Sequence, residues 1–287
     1  MVSLSAAVTT PFTDQGEIDL KTFREHVVTL MNSGVNNITF FGTTGEGPSI
    51  SFNEKVGVLS YLCPKYLDPE NTIVAVICSN SDDARNEINS CNTLGIHRFL
   101  IAPPHFFRDP SVAGLKKWFS SVFSTFVETN NNFLLYNIPQ VTGVFVDNNL
   151  ISELQKEFGS DLIFGVKDSS GDIMSARSYL TNKKLMVAIG DERLIAQAVS
   201  YGASGSICGL SNIFPRKILQ ILQSGSKNEQ INSLIADLLK YPITPGVKAV
   251  LALKTQNDLW LNVRPPLIKA STGQINRLKP LLKNFCD

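Results

Sequence analysis

The sequence has few charged residues, no long apolar run and no cysteine pair with the spacing of a metal site. Charged residues make up 18% of the 287 positions, and 26 Lys and Arg balance 25 Asp and Glu to a net charge of +1. No basic run is dense enough for a nucleic-acid or membrane surface, and no apolar run approaches the length of a membrane span. We therefore expect a small-molecule partner, with no nucleic acid and no membrane.

The cysteines and histidines argue against disulfide and metal sites. The cysteines are odd in number and lack CxxC spacing, which predicts reduced thiols that are mostly packed in the core. The histidines are scattered and form no cluster with ligand spacing, so we expect no metal. The start, MVSLSAAVTTPF, lacks the basic and apolar parts of a signal peptide, and this predicts a cytoplasmic protein. These residues are Cys63, Cys78, Cys91, Cys208, Cys286, His26, His97 and His105.

Eight short β-type segments recur along the chain. Each is almost continuously apolar, which is typical of a parallel strand covered on both faces. Segments with helical spacing lie between them, such as residues 19–34, which end on a glycine. The strand segments are SLSAAV (3–8), NNITFF (36–41), TIVAVI (72–77), RFLIA (98–102), FLLYN (133–137), LIFGVK (162–167), LMVAIG (185–190) and GSICG (205–209).

This alternation predicts an α/β protein with a (β/α)8 TIM barrel, a fold of about 250 residues. A doubly wound sheet is the alternative, but it usually has five or six strands and a GxGxxG first turn, which is absent here. After residue 215 the pattern is helical to the end of the chain. We expect a barrel core over 1–215 and a helical extension over 216–287 packed on it, together forming one functional domain.

A lysine ends the sixth strand. The run LIFGV (162–166) leads into Lys167, and Asp168 follows it. In a barrel, chemistry gathers at the C-terminal ends of the strands. Burial disfavours the charged form of an amine, so that more of it is neutral and nucleophilic near pH 7. That is what a Schiff base with a ketone requires. The alternative is a lysine that extends to solvent or pairs with Asp168.

A tyrosine near the end of the fifth strand supports the catalytic interpretation. Neighbouring strands lie roughly 4.8 Å apart, so the phenol of Tyr136 can reach groups bonded to Lys167 and transfer a proton to the substrate oxygen. A tyrosine that only packs its ring at the barrel rim is the alternative.

A glycine-rich segment, FFGTTGEGPSIS (40–51), follows the second strand. Its glycines allow close approach to the backbone, while Thr43 and Thr44 offer hydrogen-bond donors. The sequence SFNE (51–54) predicts a capping box, and donors beside a helix start favour a carboxylate or phosphate. No GxxxxGK[ST] motif occurs, so a nucleotide P-loop is excluded. A plain glycine-rich loop is the alternative.

Three motifs in this order resemble the dihydrodipicolinate synthase / N-acetylneuraminate lyase superfamily of class I Schiff-base aldolases, which includes 2-keto-3-deoxygluconate aldolase-like members. They are GTTGE (42–46), YNIP…TG (136–143) and GVKDSSGD (165–172), on strands two, five and six. The resemblance covers nearly the whole chain. It implies a homotetrameric barrel in which Lys167 forms an imine with pyruvate or another 2-oxo acid, with no metal or organic cofactor.

The resemblance also implies roles for five other residues. Tyr136 is expected to donate and accept protons. Thr43 and Thr44 are expected to hold the carboxylate, and Thr44 also to join the proton relay. Gly190 and Ile207 match positions that line the substrate site, the latter through its backbone.

Two positions depart from the synthases of lysine biosynthesis. Those enzymes usually carry an arginine in YN-P-x-R-T-G, where this chain has Val141, and a valine supplies no charge-assisted bond to a second carboxylate. They also have a Tyr-Tyr pair after strand four, one member of which reaches into the neighbouring subunit. Here His105, Phe106 and Phe107 occupy the segment. His105 is either a substitute proton relay or a loop histidine without a role.

These departures favour an aldolase or dehydratase of hydroxylated 2-oxo acids. Ser169, Ser170, Asp191 and Glu192 have the polarity to bind substrate hydroxyls, and each can equally cap a following helix. Arg264 reaches either the site or a subunit interface.

Three functions stay open at this point. The first is a Schiff-base lyase that cleaves or condenses a 2-keto-3-deoxy sugar acid or a sialic acid. The second is a dihydrodipicolinate synthase, which condenses pyruvate with aspartate semialdehyde. The third is a 2-oxo-acid binding protein without turnover.

Overall fold

The computed structural model describes residues 3–283 and 285. Eight parallel strands close into a barrel in chain order, and β1 pairs with β8. All eight segments predicted as strands are strands, and the (β/α)8 barrel is confirmed. The strands are β1 Ser3–Ala7, β2 Asn37–Phe40, β3 Thr72–Val76, β4 Arg98–Ile101, β5 Asn132–Asn137, β6 Ile163–Asp168, β7 Met186–Ile189 and β8 Gly205–Cys208.

Helices connect the strands and continue beyond the barrel. α9 follows β8 and packs on α8 and β1, while α10, α11 and α12 form the C-terminal part. The division of the chain at residue 215 stays a prediction. The helices are α1 Leu20–Asn32, α2 Phe52–Leu62, α3 Ser81–Asn92, α4 Val112–Phe123, α5 Pro139–Thr142, α6 Asn148–Phe158, α7 Ile173–Tyr179, α8 Ile195–Ser200, α9 Pro215–Ser224, α10 Glu229–Leu238, α11 Ile243–Thr255 and α12 Thr272–Leu282.

Local sequence signals explain where these helices begin. The side chain of Asp19 accepts a hydrogen bond from the N–H of Thr22 at the start of α1. At α2, Ser51 and Glu54 form the predicted capping box. Such caps satisfy N–H groups that have no partner within the helix.

The core has two apolar layers. The larger lies between strands and helices, and the smaller lies inside the barrel. Four alanines belong to the inner layer near the C-terminal ends of their strands, namely Ala7, Ala75, Ala102 and Ala188. Ala188 lies opposite Lys167 in the β6–β7 register. Small side chains at this level leave room inside the barrel for a long side chain and a ligand.

Cys63, Cys91 and Cys208 are buried and Cys78 is half-buried, and all four are free thiols. Cys286 lies outside the described residues. Within residues 3–283, no helix combines the length and apolar character needed to cross a bilayer.

His26 is a buried histidine on α1. It lies edge-on to Trp260, with ring centroids 4.9 Å apart, and its Nε2 lies 3.0 Å from Oδ1 of Asn212. Burial lowers the pKa of His26 to about 4, against the opposing effect of the Asn212 hydrogen bond. The folded protein therefore holds this ring neutral.

The free energy of unfolding should fall as the pH is lowered from about 6.5 to about 4, because the unfolded imidazole takes up a proton in this range and the folded one does not. A pKa difference of this size corresponds to about 3 kcal/mol. Urea unfolding at several pH values would measure it. Carboxylates titrate in the same pH range. The quantity to compare is therefore the difference in free energy of unfolding between the parent and His26→Gln at each pH. Parallel curves for the two proteins would contradict the prediction.

Candidate active site

Lys167 and Tyr136 face each other across two neighbouring strands. They are directly paired in the β5–β6 register, so both side chains point into the barrel. The Nζ of Lys167 donates to the Tyr136 hydroxyl oxygen at 3.3 Å, and Lys167 is only 4% exposed. The next pair in this register, Asn137 and Asp168, points to the outer side of the sheet, where the Asn137 side-chain amide donates to the Asp168 carboxylate at 2.9 Å. Strand alternation thus separates Lys167 from Asp168 and excludes the predicted alternative of an ion pair.

A cavity of about 210 Å³ surrounds Lys167 at the C-terminal ends of the strands. Every substrate-binding residue predicted from sequence lines it, whereas His105 does not. The predicted residues in its wall are Thr43, Thr44, Tyr136, Lys167, Ser169, Ser170, Gly190, Asp191, Glu192 and Ile207.

The loop after β2 brings its threonines to the cavity through an unusual backbone. Phe41 and Glu46 both have φ of 58°, a left-handed conformation that non-glycine residues rarely adopt. A Cβ on Gly47 would lie 1.7 Å from the carbonyl oxygen of Phe41, so only glycine fits there. The Thr43 hydroxyl lies 3.3 Å from that of Tyr136. Thr44 lines the same cavity, and its role in the proton relay stays a prediction.

The phenol of Tyr136 has an electrostatic environment that favours proton transfer. Burial alone would raise its pKa, but the nearby charge of Lys167 and hydrogen bonds from Thr43, Lys167 and Ser169 outweigh this effect and hold the pKa below its ordinary value. A hydroxyl with a lowered pKa gives up its proton more readily.

Asp191 and Glu192 make protein contacts as well as lining the cavity. Asp191 accepts from the N–H of Arg193, capping a short 3-10 turn, and binds the Arg193 guanidinium at 2.6 Å. Glu192 accepts from the N–H of Leu210, and burial raises its pKa. The capping alternative is therefore present for Asp191, and substrate binding by both residues stays a prediction.

Three further residues lie away from the cavity wall. His105 is half-buried, and its Nδ1 has no hydrogen-bond partner among the described residues. Val141 is 53% exposed. Arg264 pairs with Glu54 and donates to the carbonyl of Gly16, so it fastens the C-terminal segment to the start of α2.

The sequence analysis missed part of this wall. Gln140 lines the cavity and donates to the carbonyl of Ser169, and Arg193 lines it with its charge paired to Asp191. Gln140 lies within the YNIP…TG motif and Arg193 directly follows Glu192. Both could therefore have been predicted from their closeness in sequence to residues already assigned to the site. Apolar side chains from helices α10 and α11 cover the cavity. No motif in the sequence predicts that these two helices pack over it. The cover consists of Ile235, Leu239, Ile243 and Val247.

Helix α11 also contacts the loop after β2 that carries Thr43 and Thr44. The Thr244 hydroxyl donates to the carbonyl of Thr43 at 3.1 Å. Lys248 forms an ion pair with Glu46, and both side chains are completely buried. Burial lowers the pKa of Lys248 to about 8, against the opposing charge of Glu46. The C-terminal helices thus position the loop that carries Thr43.

Lys248→Met should destabilise the fold by about 3–5 kcal/mol, because it leaves the Glu46 carboxylate buried without a counter-charge. Adding Glu46→Gln to the same chain should recover most of the loss. Urea unfolding of the single and double variants measures both effects. A single variant within about 1 kcal/mol of the parent would show that the pair does not stabilise the loop.

Within the described residues, no group of three or more His, Cys, Asp or Glu side chains has the arrangement to hold a metal ion. The paired lysine and phenol, the loop that carries Thr43 and the apolar cover together enclose a small cavity with a buried amine in its wall.

Residues 1–285 match the Dihydrodipicolinate synthetase family. The chain belongs to this family. Its members are pyruvate-dependent lyases and aldolases of class I, and the chain is an enzyme of this type. A relative from Chlamydia caviae named 4-hydroxy-tetrahydrodipicolinate synthase is 32% identical over 259 residues, covering 88% of this chain and 86% of the relative.

Solved structures of the family agree with the fold. A crystal structure of dihydrodipicolinate synthase from Agrobacterium tumefaciens superposes with a TM-score of 0.95 at 33% identity and covers 99% of both chains. A variant of the 2-keto-3-deoxygluconate aldolase of Sulfolobus solfataricus superposes with a TM-score of 0.83 at 24% identity, covering 98% of this chain and 95% of the other. The second similarity concerns the fold alone.

Proposed function

We propose that this chain is a Schiff-base lyase that cleaves or condenses a hydroxylated 2-oxo acid of the 2-keto-3-deoxy sugar acid or sialic acid type. The observation that carries the proposal is the contact between Lys167 and Tyr136, 3.3 Å apart in one buried cavity. A nucleophilic amine beside a proton-transferring phenol is the pair that imine chemistry needs.

In the proposed reaction, neutral Nζ of Lys167 attacks the C2 carbonyl, and the phenol of Tyr136 protonates the oxygen as the carbinolamine forms. Loss of water gives a protonated imine. In cleavage, Tyr136 removes the proton of the C4 hydroxyl, and the aldehyde leaves as the C3–C4 bond breaks. The electrons of that bond form the C2=C3 double bond of an enamine, and the π electrons of the C=N bond move onto nitrogen. The enamine is then protonated at C3, and water releases pyruvate. Condensation is the reverse sequence.

Thr43 and Thr44 are assigned to the substrate carboxylate, because both line the cavity beside Lys167 and carry hydroxyl groups that can donate hydrogen bonds. The contact of Thr43 with Tyr136 supports Thr43, rather than Thr44, as the proton relay.

The charges around the cavity favour a hydroxylated substrate over a second carboxylate. Lys167 and Arg193 are the only Lys or Arg side chains among the described residues that line it, and Arg193 is paired with Asp191. A dicarboxylate would lack the charge-assisted bond that an arginine at position 141 would supply. The hydroxyl and amide groups of Ser169, Ser170 and Gln140 suit sugar hydroxyls.

Dihydrodipicolinate synthase is the second candidate function. The names of the Chlamydia caviae and Agrobacterium tumefaciens relatives favour it. The second substrate discriminates the two candidates, since aspartate semialdehyde carries a carboxylate and an aldose does not.

The test is to incubate the protein with pyruvate, add borohydride and locate the adduct by intact mass and peptide mapping. Reduction converts an imine into a stable secondary amine, so a single adduct on Lys167 is expected. A panel of sugar acids and aspartate semialdehyde with pyruvate would then identify the partner. No adduct, or adducts scattered over surface lysines, would overturn the mechanism. Turnover of aspartate semialdehyde alone would overturn the substrate class and leave the imine intact.

The same proposal includes a cytoplasmic homotetramer. Its support within this chain is the edge-to-face pair Phe106 and Phe107, each 78% exposed on the loop after β4. Large apolar side chains left this exposed mark an interaction surface. Light scattering should give four times the chain mass of 31.5 kDa, and a monomer would contradict the assembly.

A further inference from the structure

The wall of the cavity of Lys167 offers no counter-charge to a second carboxylate. Lys167 and Arg193 are the only Lys or Arg side chains among the described residues that line it. Asp191 holds the Arg193 guanidinium through two hydrogen bonds, from Nε at 3.0 Å and from Nη2 at 2.6 Å. Lys167 becomes the imine nitrogen in the proposed reaction. A carboxylate attached to C3 of a bound 2-oxo acid therefore finds no uncompensated cation among these side chains.

The cavity is also largely closed to solvent around the reacting groups. Lys167 and Tyr136 are 4% and 2% exposed, and four aliphatic side chains line the same cavity. A carboxylate in such surroundings loses hydration that no cation replaces, and this loss raises its free energy. A step that removes the negative charge of the carboxylate is therefore favoured. The four side chains are those of Ile235, Leu239, Ile243 and Val247.

The imine on Lys167 provides such a step. It accepts the electrons of the bond between C3 and C4, and the leaving group depends on what C4 is. When C4 carries a hydroxyl, a proton is removed and an aldehyde leaves. When C4 is a carboxylate, the same movement of electrons releases CO2 with no prior proton transfer. The positive charge of the protonated imine and the negative charge of the carboxylate are both lost, and a low-dielectric site favours a step that removes charge.

We propose that the chain also decarboxylates 2-oxo acids that carry a carboxylate on C3, an activity that rests on the proposed imine of Lys167. The imine forms with loss of water, and the C3–C4 bond then breaks. Its electrons form the C2=C3 bond of the enamine while the π electrons of the C=N bond move onto nitrogen, and neutral CO2 leaves.

Release of the product restores the amine. The enamine takes a proton at C3, for which the Tyr136 hydroxyl is placed 3.3 Å from the nitrogen of Lys167, and water then hydrolyses the imine. With the shortest such substrate, oxaloacetate, one substrate and one proton give one pyruvate and one CO2. No oxidant or reductant enters this balance.

The test measures CO2 and pyruvate released from oxaloacetate, with a chelator present to remove trace metal ions and the spontaneous rate subtracted. The parent should release both in equal amounts, and Lys167→Met should show only the spontaneous rate. The matched substrate is 2-oxoglutarate, whose second carboxylate lies one carbon further from the imine, so that the electrons of its C4–C5 bond cannot reach C2. It should form the borohydride adduct on Lys167 and release no CO2. Equal release by the parent and Lys167→Met, or CO2 from 2-oxoglutarate, would overturn the proposal.

Leu239→Arg tests the missing counter-charge. Leu239 lines the cavity and is 47% exposed, so an arginine fits there and can bind the second carboxylate. The KM for oxaloacetate should fall, and kcat for CO2 release should fall about 5-fold or more, because the carboxylate is stabilised before it reacts. Ile268→Arg is the control, since Ile268 is 82% exposed and does not line the cavity. Equal effects of the two variants, or an unchanged kcat in Leu239→Arg, would contradict the role of the uncharged wall.

Trapping with pyruvate separates this activity from the proposed lyase reaction. An adduct of pyruvate on Lys167 together with no decarboxylation of oxaloacetate overturns the decarboxylase proposal and leaves the lyase reaction intact. The absence of the pyruvate adduct overturns both.

Discussion

Lys167→Met is expected to abolish the borohydride adduct and turnover while leaving the fold at least as stable as the parent. Activity should fall at least about 10⁴-fold, because the covalent route is lost. Stability should not fall, because Lys167 is buried at 4% exposure and pairs with no carboxylate among the described residues. Methionine has a similar length and no charge to desolvate. Mass spectrometry after trapping and urea unfolding measure the two effects.

Lys55→Met is expected to have the reverse effects, with stability lowered and the adduct on Lys167 retained. Lys55 is another buried lysine, but it pairs with Glu87 at 3.0 Å and does not line the cavity of Lys167. Its loss should lower stability, because Glu87 is left without a counter-charge, while the adduct on Lys167 persists. If Lys167→Met were strongly destabilised and Lys55→Met were not, Lys167 would be a structural residue and the assigned chemistry would be wrong.

Tyr136→Phe is expected to lower kcat by about 10²- to 10⁴-fold, the usual contribution of a positioned acid–base group. The adduct on Lys167 should still form, but more slowly, because the amine remains and only the proton donor is lost. The ring keeps its place in the inner apolar layer of the barrel. Steady-state rates and the time course of trapping measure the two effects separately.

The pH profile gives a second readout of the same residue. The pKa of Tyr136 lies below its ordinary value, so in the parent the protonated phenol, and with it the rate, should be lost on the alkaline side before pH 10. In Tyr136→Phe this limb should disappear. Tyr179→Phe is the control, because Tyr179 is buried and donates to the carbonyl of Val146 outside the cavity. An equal loss of kcat in both variants would indicate disturbed packing instead of lost proton transfer.

Some features of the site follow from local sequence because short-range physics decides them. Strand alternation turns Tyr136 and Lys167 inwards once β5 and β6 are neighbours, and neighbouring strands follow one another in a (β/α)8 barrel. The capping box of Ser51 and Glu54 spans only three residues. The expectation that these groups meet at the C-terminal ends of the strands needed no knowledge of distant contacts.

Only the three-dimensional structure shows which of the two threonines contacts Tyr136. Thr43 and Thr44 are adjacent and chemically identical, and the one that contacts Tyr136 is set by the left-handed backbone at Phe41 and Glu46. That backbone is held by residues of α11 about 200 positions away, through Thr244 and Lys248. A single sequence has no local signal for a contact of this separation.

The sequence by itself determined the barrel, the position of Lys167 and Tyr136 on it and the helix starts, because apolar periodicity, strand alternation and capping act over a few residues. Only the tertiary structure decided which groups share the cavity, that Arg193 is paired with Asp191, and that α10 and α11 cover the barrel mouth. Burial, charge compensation and cavity shape depend on every element packed around a point, and those elements are distant in the chain.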